Sequence, residues 1–125
     1  MGWVVYITRA VRSYQTQQHP IAESKWLSVI AEDSTLQPSA DDYYERQERD
    51  GSVKRYHPVL WIEHPKKPRL FFMDGAIHCT SPDERMMIKM VHIAKKLGAK
   101  VLDEDDRTYT LSESGQMIVN EPTLD

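Results

Sequence analysis

The side chains with the chemistry to act are five histidines, one cysteine and nineteen carboxylates. A metal site needs ligands that converge, and the histidine spacings do not provide them. His57 and His64 lie on one extended run, which would separate them by ~23 Å and turn them to opposite faces. No two histidines have the i, i+4 spacing of a helical zinc site, and C-x-x-C is absent. His19, His57 and His64 each precede a proline, the context of surface loops. His92 falls on the polar side of a helix. Cys79 lies in an apolar run, where a thiol packs as a small hydrophobe. His78 alternates to the other side of that run and cannot act as its base. G-x-S-x-G, Walker A and G-x-G-x-x-G are all missing. The sequence therefore predicts no metal, no cofactor and no catalytic residue, and a small hydrolase or nuclease acting through carboxylates is the least supported reading.

The carboxylates themselves cluster twice. Asp41, Asp42, Glu45, Glu48 and Asp50 share one stretch with Tyr43, Tyr44, Arg46 and Arg49. Asp103, Glu104, Asp105 and Asp106 are consecutive. Both stretches fit solvated loops. They also fit a surface that meets a basic partner, with charge speeding encounter and aromatic rings supplying hot spots. The candidate contact set is Asp41, Asp42, Tyr43, Tyr44, Glu45, Asp103, Glu104, Asp105 and Asp106.

Composition narrows the class of protein that carries these clusters. A chain of 125 residues forms one domain that buries roughly two thirds of its unfolded surface. A net charge of −3 lacks the basic stripe of a nucleic-acid binder. A single cysteine cannot pair internally and fits a reducing cytosol. No apolar run approaches the ~20 residues of a membrane span, and the N-terminus has no signal pattern. The expectation is a cytoplasmic protein with no membrane association and no direct nucleic-acid contact.

The elements that must position the clusters follow from periodicity. Residues 81–100 read as the organising helix. Ser81 and Glu84 form a capping box, Pro82 opens the first turn and Gly98 ends the last. Met86, Met87, Met90, Val91, Ile93, Ala94 and Leu97 make its apolar stripe. Trp3 to Ile7 reads as a central strand and Pro20 to Asp33 as a second helix. Strands follow at His57 to Glu63, Arg69 to Met73 and Ala76 to Cys79, the last after an Asp74-Gly75 turn or bulge. Lys100 to Asp103 and Thr108 to Leu111 form a final hairpin. Residues 36–56 read as an irregular loop within a domain spanning 1–111, and 112–125 as a tail. The β-α-β-β-α-β order predicts an α+β, ferredoxin-like fold: a mainly antiparallel sheet, two helices on one face and an added hairpin strand. The other sheet face needs a cover from 36–56, the tail, a second copy or a partner. A homodimeric small-ligand or regulatory module joined through that face is the alternative function.

Tyr6–Ala10 (YITRA), the P-I-x-x-x-x-W-L of Pro20–Leu27 and the K-M-x-x-I-A-x-x-L-G-A-x-V of Lys89–Val101, with Tyr109 beyond an acidic turn, resemble a group of small bacterial "YITRA" proteins. The match covers about half the chain, and its motifs are structural. That group carries glycine in the acidic turn, as in G-D-D-G, where this chain has Asp103-Glu-Asp-Asp106. Small acidic α+β proteins of this kind are similar to immunity proteins of polymorphic or contact-dependent toxin systems. The resemblance implies a cytoplasmic module that blocks the active site of a cognate toxin, such as a nuclease, with the residues of the contact set.

Overall fold

The computed structural model describes residues 3–122. Strand β1 (Val4–Thr8) leads through a crossing segment to helix α1 (Glu23–Glu32) and the short strand β2 (Leu36–Pro38). A hairpin of β3 (Tyr44–Gln47) and β4 (Val53–Tyr56) comes next, then β5 (Val59–Trp61), β6 (Arg69–Met73) and β7 (Ala76–Thr80). Helix α2 (Glu84–Leu97) precedes β8 (Lys100–Asp103), β9 (Thr108–Leu111) and β10 (Met117–Asn120). Eight strands form one antiparallel sheet in the order β10-β9-β8-β1-β7-β6-β5-β2, while β3 and β4 pair separately.

The α+β class, the two helices and the mostly antiparallel sheet agree with the sequence reading, but the eight-strand order differs from that of a four-stranded ferredoxin-like sheet. In that arrangement α1 would lead directly into β6. Here the chain leaves α1 into β2 at the far edge and returns through the β3–β4 hairpin and β5. Residues 36–56 are thus not an irregular loop, because Tyr44–Gln47 pairs with Val53–Tyr56 around a turn at Glu48–Gly51. Polar, solvent-facing strands gave little periodic apolar signal to read. Residues 112–122 are likewise more than a tail, since Met117 to Asn120 pair with Leu111 to Thr108; residues 123–125 lie outside the described residues.

Cross-strand register separates the two sheet faces. Val5, Ile7, Ile77, Cys79 and Val101 share one face through the pairs Val5–Cys79, Ile7–Ile77 and Ile7–Val101. This face packs with Met86, Met90, Ile93 and Leu97 of α2 and with Trp26 and Val29 of α1 in one core. Each such side chain contributes about 1.5–3 kcal/mol when fully buried. Helix α2 does not begin with the expected box. Ser81 adopts a left-handed φ of +48° and donates its N–H to Trp3 O (2.7 Å). Asp83 caps instead, accepting from Met86 N at 2.8 Å. Gly98, at φ +62°, closes the helix as its position predicts.

His64 also departs from expectation, being buried rather than a surface-loop residue. Its Nδ1 accepts the N–H of Lys66 at 3.0 Å, so the proton sits on Nε2 and is donated to Asp83 Oδ2 at 2.7 Å. The histidine thus braces the α2 cap. Among the described residues no helix is long and apolar enough to cross a membrane.

Candidate functional site

The second sheet face carries Val4, Tyr6, Phe71, Met73, His78 and Thr80, as the pairs Val4–Thr80, Tyr6–His78 and Phe71–His78 dictate. Two segments of the chain lie across it. Residues 9–20 leave β1 and run to the opposite end of the sheet, where Ser13 N donates to Asp106 Oδ1 (2.7 Å). They then return to the β6–β7 turn, where Gln17 Nε2 donates to Asp74 Oδ1 (3.0 Å) and Ile21 N to Gly75 O (2.8 Å). Gly75 is required at this docking point. Its φ is +75°, and a Cβ would come within 2.7 Å of Pro20 Cβ. The Asp74-Gly75 pair is thus a two-residue turn with both φ positive, the primed type that suits a hairpin.

The β3–β4 hairpin covers the other flank. Asp42 Oδ2 meets Arg69 Nε at 2.9 Å, Tyr44 packs edge-on to Phe71 at 6.3 Å, and Arg46 bonds Asp74 through both guanidinium nitrogens (2.7 and 3.0 Å). Arg46 also donates to Glu48 (3.2 Å) and to the Tyr56 hydroxyl (2.9 Å), which donates in turn to Glu48 (2.7 Å). The Arg46 guanidinium holds the Asp74 carboxyl below its ordinary range, and Asp74 in return raises Arg46. This bidentate clamp fixes the hairpin's angle to the sheet. Beside the hairpin remains a cleft of about 370 Å³ lined by Val4, Tyr44, Phe71, Met73, His78 and Thr80, with Arg46 at its end.

The cleft can bind but offers little to react. His78 donates Nε2–H to Met73 O at 3.0 Å, stands edge-on to Tyr6 at 4.9 Å, and has its pKa pushed down by burial. It is a neutral, engaged ring. Cys79 points to the helix side, where burial raises its thiol to about 12 and Asp83 adds to the shift. His57 lies away on the hairpin, its Nδ1 2.8 Å from Asp42 O. Among the described residues no group of three or more His, Cys, Asp or Glu side chains is placed to hold a metal.

The two acidic stretches reach the same end of this sheet. Asp42 is tied to Arg69 at the start of β6, and Glu104 Oε1 accepts Val4 N (2.8 Å) at the start of β1. Only β7 separates those strands, so the anchor points lie ~10 Å apart. Asp41, Tyr43, Tyr44 and Glu45 are exposed on the hairpin, and Asp42 is partly so. Arg55 lies over the Tyr43 ring (4.4 Å) and bonds Glu45 (3.0 Å). Glu104 and Asp105 are exposed, with Asp105 3.0 Å from Arg107.

Asp103 does not belong to the contact surface, being only 1% exposed. Its carboxylate accepts from Asp105 N, Arg107 N, Arg107 Nε and the Tyr109 hydroxyl at 2.6–3.0 Å. Burial alone would raise its pKa, but these donors outweigh burial and hold the carboxyl low. Burial, joined by the bond to Asp103, pushes Tyr109 up to about 12. Asp106 is half-buried at φ +63° and holds Ser13 N. The sequence reading missed the cleft residues Val4, Phe71, Met73, His78 and Thr80. Strand alternation carried their shared face, but not the hairpin that frames it.

Comparison with known proteins finds no matching family model, no matching curated protein and no matching solved structure.

Proposed function

We propose that this chain is a protein-binding module, not an enzyme, and that it acts in the cytoplasm as an immunity protein against a cognate bacterial toxin. The observation that carries the reading is the meeting of two acidic stretches, some sixty residues apart in sequence, at one end of the sheet beside an aromatic-lined cleft. The contact set is Asp41, Asp42, Tyr43, Tyr44, Glu45, Glu104 and Asp105. A basic substrate-binding surface, such as the phosphate-binding cleft of a nuclease, is complementary to it. Arg55, Arg69 and Arg107 already neighbour these carboxylates, but such exposed pairs are worth ~0–1 kcal/mol and exchange readily for a partner's cations. Tyr43 and Tyr44 supply rigid, amphipathic area at low entropic cost. Occlusion follows if the acids occupy the toxin's phosphate subsites while the tyrosines exclude water around them.

The test is co-expression with the product of the adjacent upstream gene, followed by titration of the purified pair at low and moderate salt. A one-to-one complex that silences the toxin is expected. Combined reversal at Asp41→Lys, Glu45→Lys, Glu104→Lys and Asp105→Lys should weaken it at least ~100-fold at low salt, mostly through slower association. Unchanged affinity in that variant would remove this assignment.

A further inference from the structure

The two edges of the eight-stranded sheet are guarded very differently. At one edge, β2 is three residues long and ends in Pro38, which offers no N–H; Ser39 N and Ile62 N close its flanks onto Pro58 O and Thr35 O. At the other edge, β10 reads Met-Ile-Val-Asn with no proline, lysine or arginine. Ile118 is 42% and Val119 51% exposed. An apolar, unguarded edge is a template for another strand.

The hairpin geometry says which groups that edge presents. Ser112 N donates to Gln116 O (2.8 Å) and Gly115 N to Ser112 O (2.9 Å), closing the β9–β10 loop. Antiparallel pairs alternate between hydrogen-bonded and non-hydrogen-bonded. Beyond the closing Ser112–Gln116 pair, Leu111–Met117 is therefore non-bonded, Thr110–Ile118 bonded and Tyr109–Val119 non-bonded. The N–H and C=O groups of Met117 and Val119 consequently point away from β9, to the open side.

We infer that β10 is a self-association edge, pairing antiparallel with β10 of a second copy about a twofold axis at Ile118. That register sets Met117 opposite Val119 in both directions, so every outward N–H and C=O of the two residues finds its mate. The two Ile118 side chains then meet in a non-hydrogen-bonded pair, the closer of the two spacings. The occupant is a second copy because the edge is self-complementary: the register opposes no like charges, and Gln116 faces Asn120. On the helix-facing side, Trp3, Pro82, Met87, Tyr109, Met117 and Val119 line a groove of about 630 Å³, and the incoming Met117 and Val119 continue its apolar surface. Four residues of edge pairing bury less than the ~1,200 Å² of a standard interface, so association in the micromolar range is expected. The interface lies on the β10 edge, beyond β9 and β8 from the cleft, and is independent of the toxin-binding reading.

Sedimentation equilibrium across concentrations of ~10 to ~500 µM, bracketing micromolar association, tests this. The wild-type mass should rise toward that of a dimer. Val119→Pro deletes an outward N–H without touching the β9 ladder, so it should remain monomeric with an unchanged circular dichroism spectrum. Ile118→Cys should form a disulfide-linked dimer on mild oxidation, with Cys79 too buried to compete. A wild type that stays monomeric at the highest concentration would overturn the inference. So would a dimer that survives Val119→Pro, or one that Ile118→Cys fails to cross-link, because association would then use another surface.

Discussion

The acids of the β3–β4 hairpin and those of the β8–β9 turn look alike as text, yet the fold uses them in opposite ways. On the hairpin, Asp41 and Glu45 face solvent, and Glu45 is paired with Arg55 at the surface. In the turn, Asp103 is withdrawn from water and binds four donors that shape the loop around it. Glu104 and Asp106 reach back to Val4 N and Ser13 N, tying the turn to β1 and to the crossing segment. One cluster is held by neighbours, while the other holds its neighbours. Local charge density therefore says little about whether a carboxylate is offered to a partner; the supply of nearby N–H donors decides.

Substitutions can break that contrast, and the largest effect belongs to Asp103. Asp103→Ala leaves the N–H groups of Asp105 and Arg107 and the Tyr109 hydroxyl without their acceptor, and we expect a loss of about 3–5 kcal/mol in urea unfolding, at about 1–3 kcal/mol for each donor left unpaired. Next comes Arg46→Ala, which removes the clamp on Asp74 and leaves Glu48 and Tyr56 without their cation. A loss of about 1–3 kcal/mol is expected. Amide exchange should speed up across 44–47 and 53–56 while 100–103 and 108–111 stay protected. Uniform exchange across both regions would show that the hairpin is not an independently docked unit.

Acid titration sharpens the comparison further. The folded-state pKa of Asp103 is depressed, so its stabilisation is present above the unfolded value of about 3.9 and is lost as pH falls through the lower folded value. The stability gap between wild type and Asp103→Asn should thus be full at neutral pH and shrink below about pH 4. Asp33 behaves in the same sense. Burial opposes its ionisation, but bonds from Lys89 (2.7 Å) and Thr35 bring it down to about 2. The smallest effect is expected from Asp41→Lys with Glu45→Lys, which should change stability by no more than about 0.5 kcal/mol. A substantially larger loss would mean that the hairpin acids, too, are structural.

Much of the frame was legible because its signals are local. The α2 stripe, the Gly98 stop, the break at Asp74-Gly75 (read as a turn or a bulge) and the β8 and β9 strands each follow from a periodicity or a backbone preference confined to a few residues. The α2 start was misread because Ser81-x-x-Glu84 satisfies the capping pattern, while the sheet pulls Ser81 N to Trp3 O and leaves the cap to Asp83. Asp83 also gains His64 from the β5–β6 connection. That bond between residues far apart in the chain makes His64 a buried brace, although its His-Pro context is that of a loop. The cleft needed more still. Val4, Phe71 and His78 share a face by alternation, but the wall comes from Tyr44 and Arg46 of a hairpin whose strands carry almost no apolar pattern.

By itself, the sequence determined two helices, most of the strands and the apolar face that joins them, because hydrophobic spacing and turn chemistry act within one element at a time. Only the tertiary structure decided the strand order, the inward role of Asp103 and the meeting of the two acidic stretches. Those depend on where a chain leaving α1 lands on the sheet, and on the pairing of β8 with β1 that turns inward a carboxylate the sequence shows only as one acid among four.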